Sequence, residues 1–194
     1  MRSKDYRQRA WAALSNKWGT VVLAMLIVVL LSGAINGIPG VGQVASLILS
    51  GPLQLGFVIV IMKVLKDEVV DVSDVFDGFK DFMSSFLLFL LNTIFVTLWS
   101  LLFVIPGIIA SYSYSMSYYI LKDNPGMDAN EARKASIEMM KGHKWQLFCL
   151  EFSFIGWIIL SILTFGILTL WVGPYMETAK AAFYEELKAN QNNY

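Results

Sequence analysis

The stretch PGIIASYSYSMSYYILKD, residues 106–123, decides the fold because it has nearly the length of a membrane helix yet is polar on every side. In a membrane, small residues let helix backbones approach closely, and hydroxyl groups can bond to neighbouring helices. A helix here would have no continuous apolar face for contact with lipid tails. The stretch therefore predicts a helix buried inside a bundle. Its predicted packing residues are Gly107, Ser111, Ser115 and Ser117.

The composition indicates an integral membrane protein. Of the 194 residues, 56% are apolar and 15% are charged, and the mean hydropathy is +0.57. Soluble domains usually carry about 25% charged residues. The net charge of zero argues against bulk affinity for nucleic acid, which is therefore not an expected partner. A single cysteine excludes an intrachain disulfide, and a single histidine gives no zinc-ligand pattern.

Charged residues divide the chain into three membrane segments. None occurs in residues 18–62 or 82–121, and Glu151 is the only one in residues 145–176. One membrane helix needs about 20 residues, so each segment has room for two helices and a turn. The sequence predicts a single membrane domain over residues 1–194, all-α, as a polytopic helix bundle. Its six transmembrane helices form three hairpins, at about 18–36, 41–65, 82–105, 106–121, 145–164 and 166–187.

The distribution of basic residues predicts the topology. The three outward turns, at residues 36–40, 105–107 and 164–166, carry no charge, so all 15 Lys and Arg residues fall on the other side. By the positive-inside rule that side is cytoplasmic, with both termini inside a multi-pass cell-membrane protein. Interfacial helices are expected on this face at about 4–17, 69–81 and 128–142. The expected membrane-surface anchors are Arg7, Arg9, Trp11, Trp18, Lys144 and Trp145.

Glu151 is the residue that most suggests a site. It lies seven residues past Lys144, about 10 Å into the fifth span, where a carboxylate is costly and is usually functional or paired. Counting residues inward from the nearest charged residue at the inner end of the other spans places Asn92, Gln54 and Ser113 at a comparable depth. The sequence therefore predicts an intramembrane polar cluster of Glu151, Asn92, Gln54 and Ser113. Such a cluster either binds a ligand or proton, or has a structural role, in which its hydrogen bonds hold helices together or Glu151 extends to the inner membrane surface. The sequence favours the second interpretation.

The sequence contains no pattern that nominates a catalytic residue, a metal site or a cofactor. It has no phosphate-binding glycine loop, nucleophile elbow, metalloprotease helix or dinucleotide fingerprint. The acidic residues between positions 67 and 81 lack the spacing of a calcium-binding loop and predict a solvated acidic face. His143 is expected at the surface.

Three stretches resemble a known family. KDYRQRAWAALSNKWGTVVL at residues 4–23, IPGIIASYSYSM at 105–116 and MMKGHKW at 139–145 are similar to the bacterial integral membrane family catalogued as domain of unknown function 975. The ending WVGPYMETAKAAFYEEL, residues 171–187, extends the resemblance over nearly the whole chain. The resemblance implies a polytopic protein of the bacterial cytoplasmic membrane. The family also looks distantly similar to the membrane domain of glycerophosphodiester phosphodiesterases, which implies a lipid setting.

We expect a non-enzymatic protein that binds or scaffolds lipids or proteins, with membrane lipids, another membrane protein or a second copy as partners. The alternative is a small transporter or channel built around Glu151, and a third possibility is a lipid-modifying enzyme. A transporter predicts a continuous polar path from Glu151 to one surface. An enzyme predicts an acid, a base and a nucleophile converging within about 3 Å of one point. Recurring Gly-Pro and Lys-Trp pairs leave open whether the hairpins are an internal repeat.

Overall fold

The computed structural model describes residues 2–37 and 42–191. Within these ranges the chain is all helical, without a strand, so the predicted fold class is confirmed at that level. One 3₁₀ helix, Val72–Phe79, follows α3. The ten α-helices are α1 Ser3–Leu14, α2 Trp18–Asn36, α3 Gly42–Leu65, α4 Phe82–Leu102, α5 Val104–Tyr114, α6 Ser117–Asp123, α7 Ala129–Met139, α8 Lys144–Phe152, α9 Ile155–Leu163 and α10 Thr169–Gln191.

Three helices, α2, α3 and α4, are long and apolar enough to cross a membrane. α8 and α9 together make a fourth candidate span, bent by 41° at the break between them. These helices support an integral membrane protein, but the prediction of six spans in three hairpins is not confirmed. α10 has the length of a span, yet it carries charged residues from Glu177 onwards, including Lys180.

The predicted fourth span, residues 106–121, is two short helices instead of one. α5 ends at Tyr114 and α6 begins at Ser117, and each piece is too short to cross a membrane. Ser136 of α7 satisfies the backbone at the break. Its hydroxyl donates to the Ser113 carbonyl at 2.8 Å and accepts from the Met116 N–H at 3.2 Å. A segment expected to be one helix is therefore held at its junction by a third helix.

The turns lie close to their predicted places. α4 and α5 are separated by Phe103, whose backbone is extended, so this turn precedes the predicted residues 105–107. The turn after α9 uses Phe165 and Gly166, which have φ angles of 52° and 84°. Gly37 ends α2, while the rest of the predicted first turn, residues 38–40, and the predicted start of the second span at Val41 lie outside the described residues.

Buried side chains are concentrated in part of the bundle. They lie on the second halves of α3 and α10 and on α1, α6 and α7. Tyr6 of α1, for example, packs edge-to-face on Phe183 of α10, with 5.4 Å between ring centroids. By contrast, Leu30, Leu102 and Ile162 are each at least 60% exposed. Exposing so large an apolar surface to water would be unfavourable, whereas lipid tails would cover it.

The helices expected on the cytoplasmic surface each bury one face against the bundle. α1 buries Tyr6, Ala10 and Leu14, and α7 buries four residues that include Ser136. The 3₁₀ helix packs so tightly on α3 that a Cβ on Gly56 would overlap the Val75 carbonyl. Glycine at this position therefore permits the close approach of two backbones.

Candidate functional site

Glu151 of α8 lies between a tyrosine and a lysine. Its Oε2 accepts a hydrogen bond from the Tyr112 hydroxyl of α5 at 2.7 Å, and its Oε1 lies 3.0 Å from Nζ of Lys180 on α10. Lys180 also lies 3.3 Å from Glu177, whose Oε2 accepts from the Tyr119 hydroxyl of α6 at 3.1 Å. These five residues, here called the Glu151 network, tie α5, α6, α8 and α10 together.

The other predicted members of the polar cluster lie elsewhere. Gln54 is exposed on α3, and Asn92 is half-buried on α4 with its Oδ1 lacking a hydrogen-bond partner. The Ser113 hydroxyl donates to the Ile109 carbonyl of its own helix at 2.7 Å. In the described parts of the chain, no hydrogen bond joins Glu151 to any of these three residues.

Sequence reasoning missed the lysine that pairs with Glu151. Lys180 falls inside the predicted last span, residues 166–187, but no contact with Glu151 was predicted for it. A signal was available, because Glu177 and Lys180 are three residues apart and so lie on one face of a helix. Opposite charges at that spacing inside a predicted span call for a partner, and Glu151 was the only charged residue in the preceding span.

An aromatic groove of about 540 Å³ lies between α1, α2, α9 and α10. Its volume falls within the range of about 300–1,000 Å³ typical of small-molecule sites. Four of the chain's six tryptophans line it. Four of its residues recur at the spacing of one helix face along α10 and the residue before it. The lining residues are Trp11, Trp18, Trp157, Leu168, Trp171, Val172 and Tyr175.

Ring contacts attach α1 to one end of this groove. Trp11 packs edge-to-face on Trp18 at 5.4 Å and on Tyr175 at 5.6 Å, measured between ring centroids. Tyr175 in turn packs on Phe154, at the break between α8 and α9, at 5.0 Å. Trp11 and Trp18, predicted as membrane-surface anchors, therefore form part of the groove wall.

Arg7 is held at the same end of the groove. Its Nη1 donates to the Ser153 carbonyl at 3.1 Å, and its guanidinium carbon lies 5.6 Å from the centroid of the Phe154 ring. Its Nε is buried without a hydrogen-bond partner in the described structure. Arg9, two residues further along α1, is exposed and points to another side of the helix. Of these two predicted anchors, only Arg7 contacts the bundle.

The family model described as "Protein of unknown function (DUF975)" matches residues 1–107 and 100–191. The chain belongs to this family. Searches of the curated proteins and of the solved structures found no match. The similarity to the membrane domain of glycerophosphodiester phosphodiesterases is not shown by these comparisons and stays an expectation.

The predicted packing residues of this DUF975 protein differ in their surroundings. A Cβ on Gly107 would overlap the side chain of Ser100, so α4 and α5 approach closely there. The hydroxyls of Ser111, Ser115 and Ser117 donate to carbonyls three residues earlier in the chain, at 2.7–2.9 Å. These hydroxyls therefore form hydrogen bonds within their own segment of the chain. Of the predicted packing residues, Gly107 is the one at which two helices approach closely.

The remaining predicted anchors stand at the start of α8. Lys144 is half-buried and is the first residue of that helix. Trp145 is 71% exposed and stacks on Phe148, with 5.0 Å between ring centroids. The exposed aromatic pair of Trp145 and Phe148 therefore lies outside the groove.

A second charged cluster centres on Asp123, at the end of α6. Tyr184 donates to its Oδ2 at 3.0 Å, Lys188 contacts the same oxygen, and Lys122 lies 3.3 Å from Oδ1. Burial raises the pKa of Asp123, but hydrogen bonds from Lys188 and Tyr184 and the charge of Lys122 outweigh burial and lower it overall. Asp123 therefore remains ionised at neutral pH and joins α6 to α10.

No group of three or more His, Cys, Asp or Glu side chains within residues 2–37 and 42–191 is arranged to hold a metal ion. The Glu151 network has a lysine where a metal site would have another ligand. The candidate sites in the described residues are thus the Glu151 network, the charged cluster around Asp123 and the apolar groove with Arg7 at one end.

Proposed function

We propose that this DUF975 protein is a non-enzymatic phospholipid-binding protein of the bacterial cytoplasmic membrane, with both termini in the cytoplasm. The observation that supports the proposal best is the aromatic groove between α1, α2, α9 and α10. A lipid acyl chain is the ligand whose chemistry matches it, because the lining is apolar and aromatic.

The position of the groove supports a lipid rather than a soluble ligand. α9 and the segment that follows it expose large apolar side chains such as Ile162 and Phe165. A groove bordered by such surface is reached from within lipid. Tryptophan and tyrosine are also the residues enriched where membranes meet water.

The distribution of basic residues supports the proposed topology. α1 carries Lys4, Arg7 and Arg9, with Arg2 directly before it, and the bends after α4 and α9 carry no charged residue. Positive residues concentrate on the cytoplasmic side of membrane proteins. The apolar faces of α2 and α4 leave room for the other expected partner, a second membrane protein or another copy of the chain.

The Glu151 network gives less support to a transporter. Both carboxylate oxygens of Glu151 are engaged, one by Tyr112 and the other by Lys180. A transport site would have to release one of these partners in each cycle. The contacts favour the use of Glu151 to hold four helices together.

The test is the amount of phospholipid that remains bound after purification in mild detergent, measured by native mass spectrometry. Trp157 and Trp171 line the groove and are 40% and 45% exposed, whereas Trp99 of α4 is 46% exposed outside it. We expect wild type and Trp99→Ala to retain phospholipid equally. Trp157→Ala with Trp171→Ala should retain about thirtyfold less, since each of the two lost aromatic contacts weakens binding by about 1 kcal/mol.

Equal retention by all three proteins would contradict the proposal. Circular dichroism and thermal unfolding serve as the folding control. Because the three tryptophans are similarly exposed, their loss should change stability by similar small amounts.

A further inference from the structure

The basic side chains of α1 and of Arg2 before it form no ion pair with the described acidic residues. Of the ion pairs between described residues, none involves Arg2, Lys4, Arg7 or Arg9. Most of the other lysines are paired, as Lys17 is with Asp67 at 2.7 Å, although Lys134 and Lys144 are not. α1 therefore has a net positive charge beside the groove, from Lys4, Arg7 and Arg9 against Asp5.

Arg7 is the one of these side chains that the bundle holds in place. The Ser153 carbonyl and the Phe154 ring fix its guanidinium, while its buried Nε has no acceptor among the described residues. A guanidinium presents its donors in a plane that matches the oxygens of a phosphate group. The unused donor calls for an acceptor that the described chain does not supply.

Arg7 and the groove share one face of α1. Trp11 lines the groove and lies four residues after Arg7, one turn along the same face. On the opposite wall, Phe154 beneath Arg7 packs on Tyr175, which also lines the groove. A lipid whose chain followed the α10 side of the groove would place its headgroup against Arg7.

We infer that the groove selects phospholipids with a net negative headgroup, and that Arg7 binds the headgroup phosphate. The inference rests on the proposed function, because it names the lipid class for the same groove. A zwitterionic headgroup brings its own cation, which meets the charge of Arg7 at the end of the groove unfavourably. An anionic headgroup has no such cation, and one arginine near an anionic lipid surface favours binding about fivefold.

The experiment exchanges the purified protein into equimolar phosphatidylglycerol and phosphatidylcholine with identical acyl chains, and native mass spectrometry gives the ratio retained. Wild type should retain phosphatidylglycerol about fivefold over phosphatidylcholine. Arg7→Gln should bring this ratio close to one. Arg9→Gln removes the same charge from another face of α1 and should leave the ratio near the wild-type value.

Two further measurements keep the test independent of the folding of Arg7→Gln. Raising the salt concentration from about 0.05 to 0.5 M should reduce the wild-type ratio, since salt screens exposed charges. Free glycerol 3-phosphate, which has the headgroup phosphate without a chain, should not displace bound lipid. Displacement by it would show a phosphate site independent of the groove and overturn the inference.

The outcomes separate the two proposals. Retained lipid with equal amounts of both phospholipids in wild type would overturn the inference and leave the proposed function standing. Equal loss of preference in Arg7→Gln and Arg9→Gln would overturn the role of Arg7. Failure of wild type to retain any lipid would overturn the proposed function itself.

Discussion

Lys180 of α10 lies 3.0 Å from Glu151 of α8, and its second carboxylate partner, Glu177, lies at 3.3 Å. The side chains of Lys180 and Glu151 are 23% and 29% exposed, so water screens their attraction only in part. The pair joins α8 to α10, two helices that have α9 between them in the sequence.

Glu151→Gln should lower the free energy of unfolding by about 1–2 kcal/mol, measured by thermal unfolding in detergent. Glutamine can still accept the hydrogen bond from Tyr112, but it cannot neutralise Lys180. The control is Glu138→Gln, which breaks an ion pair with Lys141 whose side chains are 66% and 65% exposed. That change should cost about 0.5 kcal/mol or less. Equal effects of the two substitutions would contradict the helix-tying role of Glu151.

Ser136→Ala should cost about 1–3 kcal/mol, because it leaves the Ser113 carbonyl and the Met116 N–H without their partner at the break between α5 and α6. Ser111→Ala is the control, since Ser111 is exposed and bonds only within its own helix. We expect that control to change stability by about 0.5 kcal/mol or less. Chemical unfolding in detergent measures both, and similar values would show that Ser136 does not support the break.

The break illustrates what the sequence alone does not determine. The polar residues between Pro106 and Asp123 predict a helix that packs inside a bundle, and hydropathy cannot show that it divides near Ser115. An interrupted helix is stable only when another group satisfies its backbone. Here that group is Ser136, a residue of a different helix. Its contribution depends on tertiary packing, which periodicity within one segment does not contain.

Hydropathy was more informative for uninterrupted helices. The predicted span at 18–36 coincides with α2, and the span at 82–105 differs from α4 by three residues at its end. Hydropathy did not predict the groove, because its residues Trp11 and Trp171 come from opposite ends of the chain. The spacing of Leu168, Trp171, Val172 and Tyr175 predicts an apolar face, but not the helix that completes the groove.

Gly56→Ala should destabilise the protein by about 1–3 kcal/mol or more, because the added Cβ would overlap the Val75 carbonyl of the 3₁₀ helix. Gly156→Ala is the matched change, since nothing lies within 4 Å of a Cβ added there. Gly156 is in α9, where alanine should leave the free energy of unfolding unchanged or raise it by up to about 1 kcal/mol. Expression level and thermal unfolding measure both variants. A well-folded Gly56→Ala protein would contradict the packing of the 3₁₀ helix on α3.

Asp123 should make stability depend on pH. Its pKa is lowered in the folded protein, so its stabilising contribution is complete above the ordinary aspartate pKa of about 3.9. That contribution is lost as the pH falls through the lower, folded-state value. Asp123→Asn should therefore lower the melting temperature most at neutral pH, and the difference from wild type should shrink below about pH 4. A difference that stays constant between pH 3 and 7 would show that the charge of Asp123 is not stabilising.

The most direct test of the groove as a lipid site is fluorescence quenching by a phospholipid brominated on its acyl chain, added to detergent-solubilised protein. In Trp99→Phe with Trp145→Phe, every remaining tryptophan lines the groove. In the complementary variant, the four groove tryptophans are phenylalanine and only Trp99 and Trp145 remain. If a lipid occupies the groove, quenching should saturate near one lipid per chain in the first variant and should be weak and unsaturated in the second. Equal quenching of the two variants at every lipid concentration would contradict it.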